Sequence, residues 1–214
     1  MKKICITGSL HWDIVVNTNN IPKKDETVKG SKVNYLFGGK GGNQALSANR
    51  YGSNTYFIGR VGKDNFGEKI LNTLKKSTID IKQLQVGTEK SGMSVAVVDK
   101  KGNYSATIVS GANLNIDCKK IVIKKDTGIL LLQNEIPEKI NLLAAKKAKE
   151  QNCEVWINAA PARKINRELL ELTDIIIMNK VEAEFYKKTI FKNKLYKITK
   201  IITLGSKGLK AEFS

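Results

Sequence analysis

The sequence has little of what several function classes require. No apolar run approaches the length that spans a membrane. The apolar stretch after Met1-Lys2-Lys3 breaks at Gly8-Ser9, too early for a secretory signal core. Cysteine occurs only at 5, 118 and 153, an odd number with no metal spacing. Cys5 and Cys153 sit in apolar, strand-like runs, which predicts buried free thiols in a reducing, cytoplasmic setting. Arginine occurs only at 50, 60, 163 and 167, so the formal charge of +17 is nearly all lysine. Base readout and phosphate forks favour arginine. The lysines are spread along the chain without interleaved aromatics, which speaks against a nucleic-acid partner and for a solvated basic surface. The cluster from Lys187 to Lys200 is the one place where a basic interface stays open. Low-complexity tracts and internal repeats are absent.

What remains is a globular chain of 214 residues, 41% hydrophobic and 27% charged, long enough to bury a core. It is organised around Gly38-Gly39-Lys40-Gly41-Gly42-Asn43-Gln44-Ala45, four glycines within five residues followed by a helical pattern. Glycine admits positive φ and close approach of a ligand to the main chain. The free N–H groups of the following helix can be offered to a polar ligand. Asn43 adds an amide and Lys40 a charge, which suits a small polyhydroxylated molecule; a plain strand-to-helix turn is the alternative. The Walker pattern fails because Gly41 follows Lys40, and the dinucleotide fingerprint fails because Gln44 replaces its last glycine.

Along the chain, Lys3 to Thr7 reads as a buried strand, and Gly8 to Asp13 as the loop at its carboxyl end. His11, the only histidine, is read as structural or as a ligand contact; Asp13 as a hydroxyl acceptor or a turn cap. Ile14 to Tyr35 reads as edge strands of a small antiparallel sheet. Helices are predicted from Asn43 to Tyr51 and after a cap at Asp64 or Asn65. Ser91 to Val98 and Asn103 to Val109 flank Asp99-Lys100-Lys101-Gly102 as a hairpin. Thereafter strands at Gly128–Leu132, Cys153–Ile157, Asp174–Met178 and Lys200–Leu204 alternate with helices, which implies a parallel sheet between helical layers. Glu135, Asn179, Glu182 and the run Thr203 to Gly208 follow strand ends. Each could be a turn or cap, but with Asp13 a single sheet edge would gather them into one cleft.

Together these residues resemble the phosphofructokinase-B-type carbohydrate kinase family, in its ribokinase-like form. The resemblance rests on the glycine stretch and on Gly59-Arg60-Val61-Gly62-Lys63-Asp64. Gly111-Ala112-Asn113, Asn158 to Ala162, Asn179 to Glu184 and Thr203 to Gly208 extend it over nearly the whole chain. It implies an α/β core (1–13, 39–90 and 112–214) with a discontinuous β-sheet lid (14–38 and 91–111). It implies a sugar held by His11, Asp13, Gly39, Lys40, Gly41, Asn43 and Glu135. ATP would be held by Asn179, Thr203, Gly205, Ser206, Lys207 and Gly208, with Glu182 placing Mg²⁺ through water. The reaction would be γ-phosphoryl transfer to a sugar hydroxymethyl, of ribose first. A monovalent cation such as K⁺ and a homodimer through the lid are also implied. There are three departures. His11 stands where ribokinases carry Asn. The stretch from Asn179 to Thr203 is short and lysine-rich. The family's Gly-Ala-Gly-Asp run, which brings the anion hole and the catalytic Asp base, has no match; after Asp126 the only Asp is Asp174. By the family pattern that base would lie beyond Ser214, so no catalytic residue is assigned within the sequence. The expectation is a C-terminally truncated kinase with little or no phosphoryl transfer. The alternatives are a sugar-binding or interaction protein without catalysis and, less favoured, a basic nucleic-acid binder.

Overall fold

A computed structural model describes residues 2–191 and 196–213. The core sheet begins with β1 (Lys3–Thr7), whose Cys5 and Ile6 are both fully buried but point to opposite faces. A strand buried on both sides is the mark of a parallel sheet between layers. Next to β1 lies β4 (Thr55–Gly62), followed at the edge by β5 (Asp80–Gly87). On the other side of β1 run β8 (Thr127–Gln133), β9 (Glu154–Asn158), β10 (Ile175–Asn179) and β11 (Thr199–Thr203), all parallel. The last strand, β12 (Leu209–Glu212), pairs antiparallel with β11. The chain therefore builds the sheet outward in both directions from β1. The crevice between β1 and β8 is a switch point, where ligands bind at the carboxyl ends of strands.

Two apolar cores flank this sheet. On one face α1 (Lys40–Arg50) and α2 (Asn65–Lys75) bring Ala45, Ile70 and Leu74 onto Ile6, Phe57 and Val61. On the other, α3 (Glu138–Lys149) lays Ile140, Ala144, Ala145 and Ala148 onto β8 and β9. Burying one such Ile stabilises the fold by ~1.5–3 kcal/mol. The short helices α4 (Arg167–Glu171) and α5 (Lys180–Tyr186) add Leu169, Leu170 and Tyr186 to this second core. Coverage is not even. On the α1 side of the sheet Trp156, Ile175, Ile177 and Ile201 are only half-buried. No helix among the described residues is long and apolar enough to cross a membrane.

The second sheet has the order β3-β2-β6-β7. Here β2 is His11–Thr18, β3 is Gly30–Gly38, β6 is Met93–Val98 and β7 is Tyr104–Val109. It is mixed rather than antiparallel, because β2 and β6 run parallel. The reason is topological: the chain leaves β3, builds α1, β4, α2 and β5, and only then returns as β6, a crossover long enough for parallel pairing. Two local features depart from the sequence reading. The first lid strand starts at His11, so His11, Trp12 and Asp13 pair with Gly38, Phe37 and Leu36 instead of forming a loop. The strand β5 has no counterpart in that reading, because the adjacent polar pair Lys82-Gln83 breaks the apolar/polar alternation that would mark a strand. Two sequence expectations fall outside the described residues. Of the basic cluster from Lys187 to Lys200, residues 192–195 lie outside them. Ser214, after which the family pattern puts the catalytic Asp, lies outside them as well.

Candidate functional site

The glycine stretch folds as the end of β3, a turn and the first turn of α1. Gly39 takes φ 84° and ψ 137° at the helix N-cap, a conformation that side-chain-bearing residues avoid. Gly41 lies against the backbone of Gly8 and Ser9, so α1 starts directly over the carboxyl end of β1. Gly42 N donates to Ser9 O at 2.9 Å, and Asn43 N to Gly39 O at 2.9 Å.

Glu135 ties this loop to the neighbouring strand. Its Oε2 accepts from Ser9 Oγ at 2.5 Å and from Lys40 N at 2.9 Å. Lys40 Nζ stands 3.8 Å from Oε1. The loop after β8 thus supplies a carboxylate to the first free N–H of α1, where negative charge is favoured. Ser9 is the bridging residue that sequence reasoning leaves unassigned. Its only signal there is a small hydroxyl directly after a strand-ending glycine.

The lid contributes a single row. Leu36, Asp13, Ser94 and Ile108 are direct neighbours across all four of its strands, and His11 lies on the same face as Asp13. Ser94 Oγ donates to Asp13 Oδ1 at 2.6 Å. The Asp13 carboxylate lies over Gly38, where any Cβ would collide with it. Asn113 fixes the lid to the core: its Oδ1 accepts from Leu10 N and its Nδ2 donates to Leu10 O, both at 2.9 Å. Asp64 does the same from the other side. It caps α2 through Gly67 N at 2.8 Å and accepts from Ser91 N at 2.9 Å and Ser91 Oγ at 2.6 Å. The structure therefore brings Gly39, Lys40, Gly41 and Glu135 into direct contact through Ser9 and sets Asp13 beside them. Asn43 is exposed on the first turn of α1.

The second group of residues lies further along the same sheet edge. Asn179 and Thr203 are direct neighbours at the ends of β10 and β11. With strands ~4.8 Å apart, the end of β11 is four intervals, ~19 Å, from the end of β1. Asn179 caps α5 with its side chain, and Glu182 reaches back to Asn179 N at 2.8 Å, a capping box. Glu182 is buried, and its two oxygens accept one hydrogen bond each from Asn179. Thr203 is exposed at the end of β11, and Gly205, Ser206, Lys207 and Gly208 form an exposed turn before β12. Space is open above Gly205 and Gly208.

The comparisons with known proteins give the family. The model of the pfkB family carbohydrate kinases matches residues 1–210. The chain belongs to this family. The ribokinase of Lactococcus lactis is 34% identical over 98% of this chain and 72% of its own. The ribokinase of Bacillus subtilis is 32% identical over 98% of this chain and 74% of its own. Among solved structures, Arabidopsis thaliana ribokinase complexed with ribose and ATP superposes with a TM-score of 0.83 at 27% identity, over all of this chain and 75% of that one. Thermotoga maritima ribokinase gives 0.87 at 28%, again over all of this chain and 75% of that one.

At the Asn179–Gly208 end one buried carboxylate, Glu182, is available to a phosphate–Mg²⁺ group. Among the described residues no three His, Cys, Asp or Glu side chains converge as a cage. Mg²⁺ keeps most of its waters and takes phosphate oxygens, so one or two protein carboxylates suffice. Glu182, with lone pairs left on both oxygens, fits that role.

A cavity of about 330 Å³ opens beside the glycine turn, lined among others by His11, Ile108, Asn134, Glu135, Pro137 and Arg163. Burial lowers the His11 pKa below 6.5, against the pull of Glu135 and Asp13. The ring is therefore neutral at pH 7. Asn134 Nδ2 donates to Pro161 O at 3.0 Å and to Tyr186 Oη at 3.1 Å. Tyr186 Oη in turn donates to Arg163 O at 2.6 Å, so α5 is linked to the cavity wall.

Proposed function

We propose that this chain binds a pentose, ribose first, between the Gly39–Gly41 turn and the Asp13 row of the lid. In the reaction of its family, the ATP γ-phosphoryl group passes to the sugar's hydroxymethyl oxygen. The observation that carries this reading is Glu135 held between Ser9 Oγ and Lys40 N at the β1–β8 crevice. It joins a glycine turn, a free helix N-terminus and a carboxylate at the position where open α/β sheets bind ligands.

In this reading Asp13 and Glu135 accept hydrogen bonds from sugar hydroxyls, and Asn43 adds an amide. Main-chain N–H groups at the start of α1 donate to the sugar. Leu36 and Ile108, which flank Asp13 and Ser94 in the lid row, exclude water from the face of the sugar. Asn179 and the Thr203–Gly208 turn hold the nucleotide, and Glu182 orients water around Mg²⁺. When bound, Mg²⁺ neutralises charge that develops on the phosphoryl oxygens. The ~19 Å between the ends of β1 and β11 leaves room for an extended triphosphate.

No residue of 1–214 matches the family's Gly-Ala-Gly-Asp run, and Asp174 is engaged by Lys149 Nζ and Val155 N away from the site. The reaction also needs a general base and an anion hole, each worth several orders of magnitude, and neither is assigned to residues 1–214. A reading as a sugar-binding protein rests on the same Glu135 station. Exposed Val33, Tyr35 and Val95, on the lid face opposite Asp13, suit pairing of two lids in a cytoplasmic homodimer.

Calorimetric titration with ribose and ATP, alongside sugar-dependent ADP release in the presence of Mg²⁺, tests the reading. Ribose binding that is lost in Asp13→Asn supports it. Absence of ribose binding by the folded chain overturns it. Sugar-dependent ADP release at about one per second or faster supports the phosphoryl-transfer reading.

A further inference from the structure

One buried hydroxyl joins three separate segments of the chain. Tyr186, the last residue of α5, is 2% exposed. Its Oη donates to Arg163 O at 2.6 Å and accepts from Arg163 N at 3.2 Å and from Asn134 Nδ2 at 3.1 Å. That uses the one proton and both lone pairs of a phenol. Asn134 is buried too, and its other amide proton goes to Pro161 O at 3.0 Å. A buried network in which donors and lone pairs are all matched is rigid, and deleting one member strands its partners.

Asn134 immediately precedes Glu135. Its main-chain N–H donates to Ala160 O at 3.0 Å, and on the other side of Glu135 the Ile136 carbonyl accepts from Arg163 Nη2 at 2.9 Å. Both neighbours of Glu135 are thus tied to the turn after β9, and Tyr186 ties that turn and Asn134 to α5. Glu135 depends on such anchoring, because it meets the glycine turn through two short bonds, to Ser9 Oγ and Lys40 N. Bonds of this kind weaken quickly as the groups move apart or out of line. Glu182 stands one turn before Tyr186 on the same helix. Tyr186 itself does not line the cavity beside the glycine turn.

Resting on the sugar-binding reading above, we propose that Tyr186 is a positioning residue: its hydroxyl, acting through Asn134, holds the Glu135 carboxylate in place for the sugar from behind the site. The same bonds fix α5, and with it Glu182, relative to Glu135.

The test is calorimetric titration of Tyr186→Phe with ribose, against Tyr56→Phe as a matched control. Tyr56 is 1% exposed, and its Oη pairs with Thr127 Oγ1 at 2.8 Å and accepts from Lys124 N at 3.1 Å. Thr127 opens β8, ~20 Å along the strand from Gln133 at its other end. Both variants should melt below the unaltered chain. Only Tyr186→Phe should weaken ribose binding, by about tenfold, the size of one lost hydrogen bond at the sugar. Asn134→Leu should weaken it to a similar degree, and adding Tyr186→Phe to Asn134→Leu should change the affinity little, because both act through one contact. Unchanged ribose affinity in Tyr186→Phe overturns the proposal, and so does an equal loss in Tyr56→Phe or full additivity in the double variant. Where Tyr186→Phe fails to fold, unchanged affinity in Asn134→Leu overturns it. An unaltered chain that does not bind ribose overturns the sugar reading instead.

Discussion

Replacing Gly39 by Ala is a direct test of how the sugar loop is built. A residue with a side chain in a left-handed conformation costs ~1–2 kcal/mol. Gly39 adds a steric cost. A Cβ there would stand 2.7 Å from Ser9 O and 2.9 Å from both His11 N and Leu10 Cα. All three are main-chain atoms, two in the β1–β2 connection and one in the first residue of β2. That connection is pinned by Gly42 N on Ser9 O and by the Asn113 amide on both polar atoms of Leu10. No side chain can rotate away, so the strain resembles overpacking, worth ~1–3 kcal/mol. The two together give ~2–5 kcal/mol. Gly52→Ala is the control: its φ is 83°, but nothing lies within 4 Å of the added methyl. It should cost only the conformational ~1–2 kcal/mol. Denaturant unfolding of both variants measures the difference. For a chain of this size each kcal/mol moves Tm by ~2–4 °C, so Gly39→Ala should melt well below Gly52→Ala. It should also lose ribose binding in calorimetry. Equal destabilisation by the two substitutions would refute the argument that the loop is held by backbone contact.

Three further outcomes are expected. The single histidine makes its NMR titration unambiguous: the His11 midpoint should fall below 6.5, because burial outweighs Glu135 and Asp13, and a midpoint at or above 6.5 would contradict the buried geometry. Partial burial of the Asp64 carboxyl raises its pKa, but bonds from Ser91 Oγ, Ser91 N and Gly67 N win and hold it low. Its stabilisation is complete above the unfolded value of ~3.9 and is lost as pH falls through the lower folded value. Unfolding curves from about pH 6 to pH 3 should therefore show a shallower acid decline in Asp64→Asn, with a loss of ~1–3 kcal/mol at the upper end, where Ser91 N faces an amide instead of Oδ2; an unchanged acid limb would count against these bonds. Finally, burial pushes the Cys5 thiol up to about 12 and the Cys153 thiol to about 11, while Cys118 is exposed. A thiol reagent at mildly alkaline pH should titrate one cysteine in the folded chain and three in denaturant, and rapid reaction of two in the folded state would mean that the core is open.

Much of the architecture is legible in local pattern. β1 and β8 to β11 are unbroken apolar runs, and such runs separated by helices lead to a parallel sheet whichever way they are ordered. The Asp64 cap, the glycine turn and the Asp99–Gly102 hairpin are written in a few adjacent residues, because turn and cap chemistry is local. The resemblance to carbohydrate kinases likewise rests on short motifs, and the family match over residues 1–210 agrees with it. Edge strands are harder. β5 reads as loop because Lys82-Gln83 interrupts its alternation. β2 reads as loop at its start because His11-Trp12-Asp13 has no strand signature of its own.

Local sequence therefore carries the set of elements and the residue types at their ends. Which of those ends meet is a property of the folded chain alone. Ser9 and Glu135 are 126 positions apart and share a hydrogen bond because β8 lies beside β1. Asp13, Ser94 and Ile108 form one row because β6 returns parallel to β2. His11 and Arg163 reach one cavity from the lid and from the turn after β9. Hydrophobic periodicity sets which face of a strand is buried, but strand order is set by the long crossovers between strands. Neither that order nor the distant partner of a buried polar atom leaves a mark on the sequence around it.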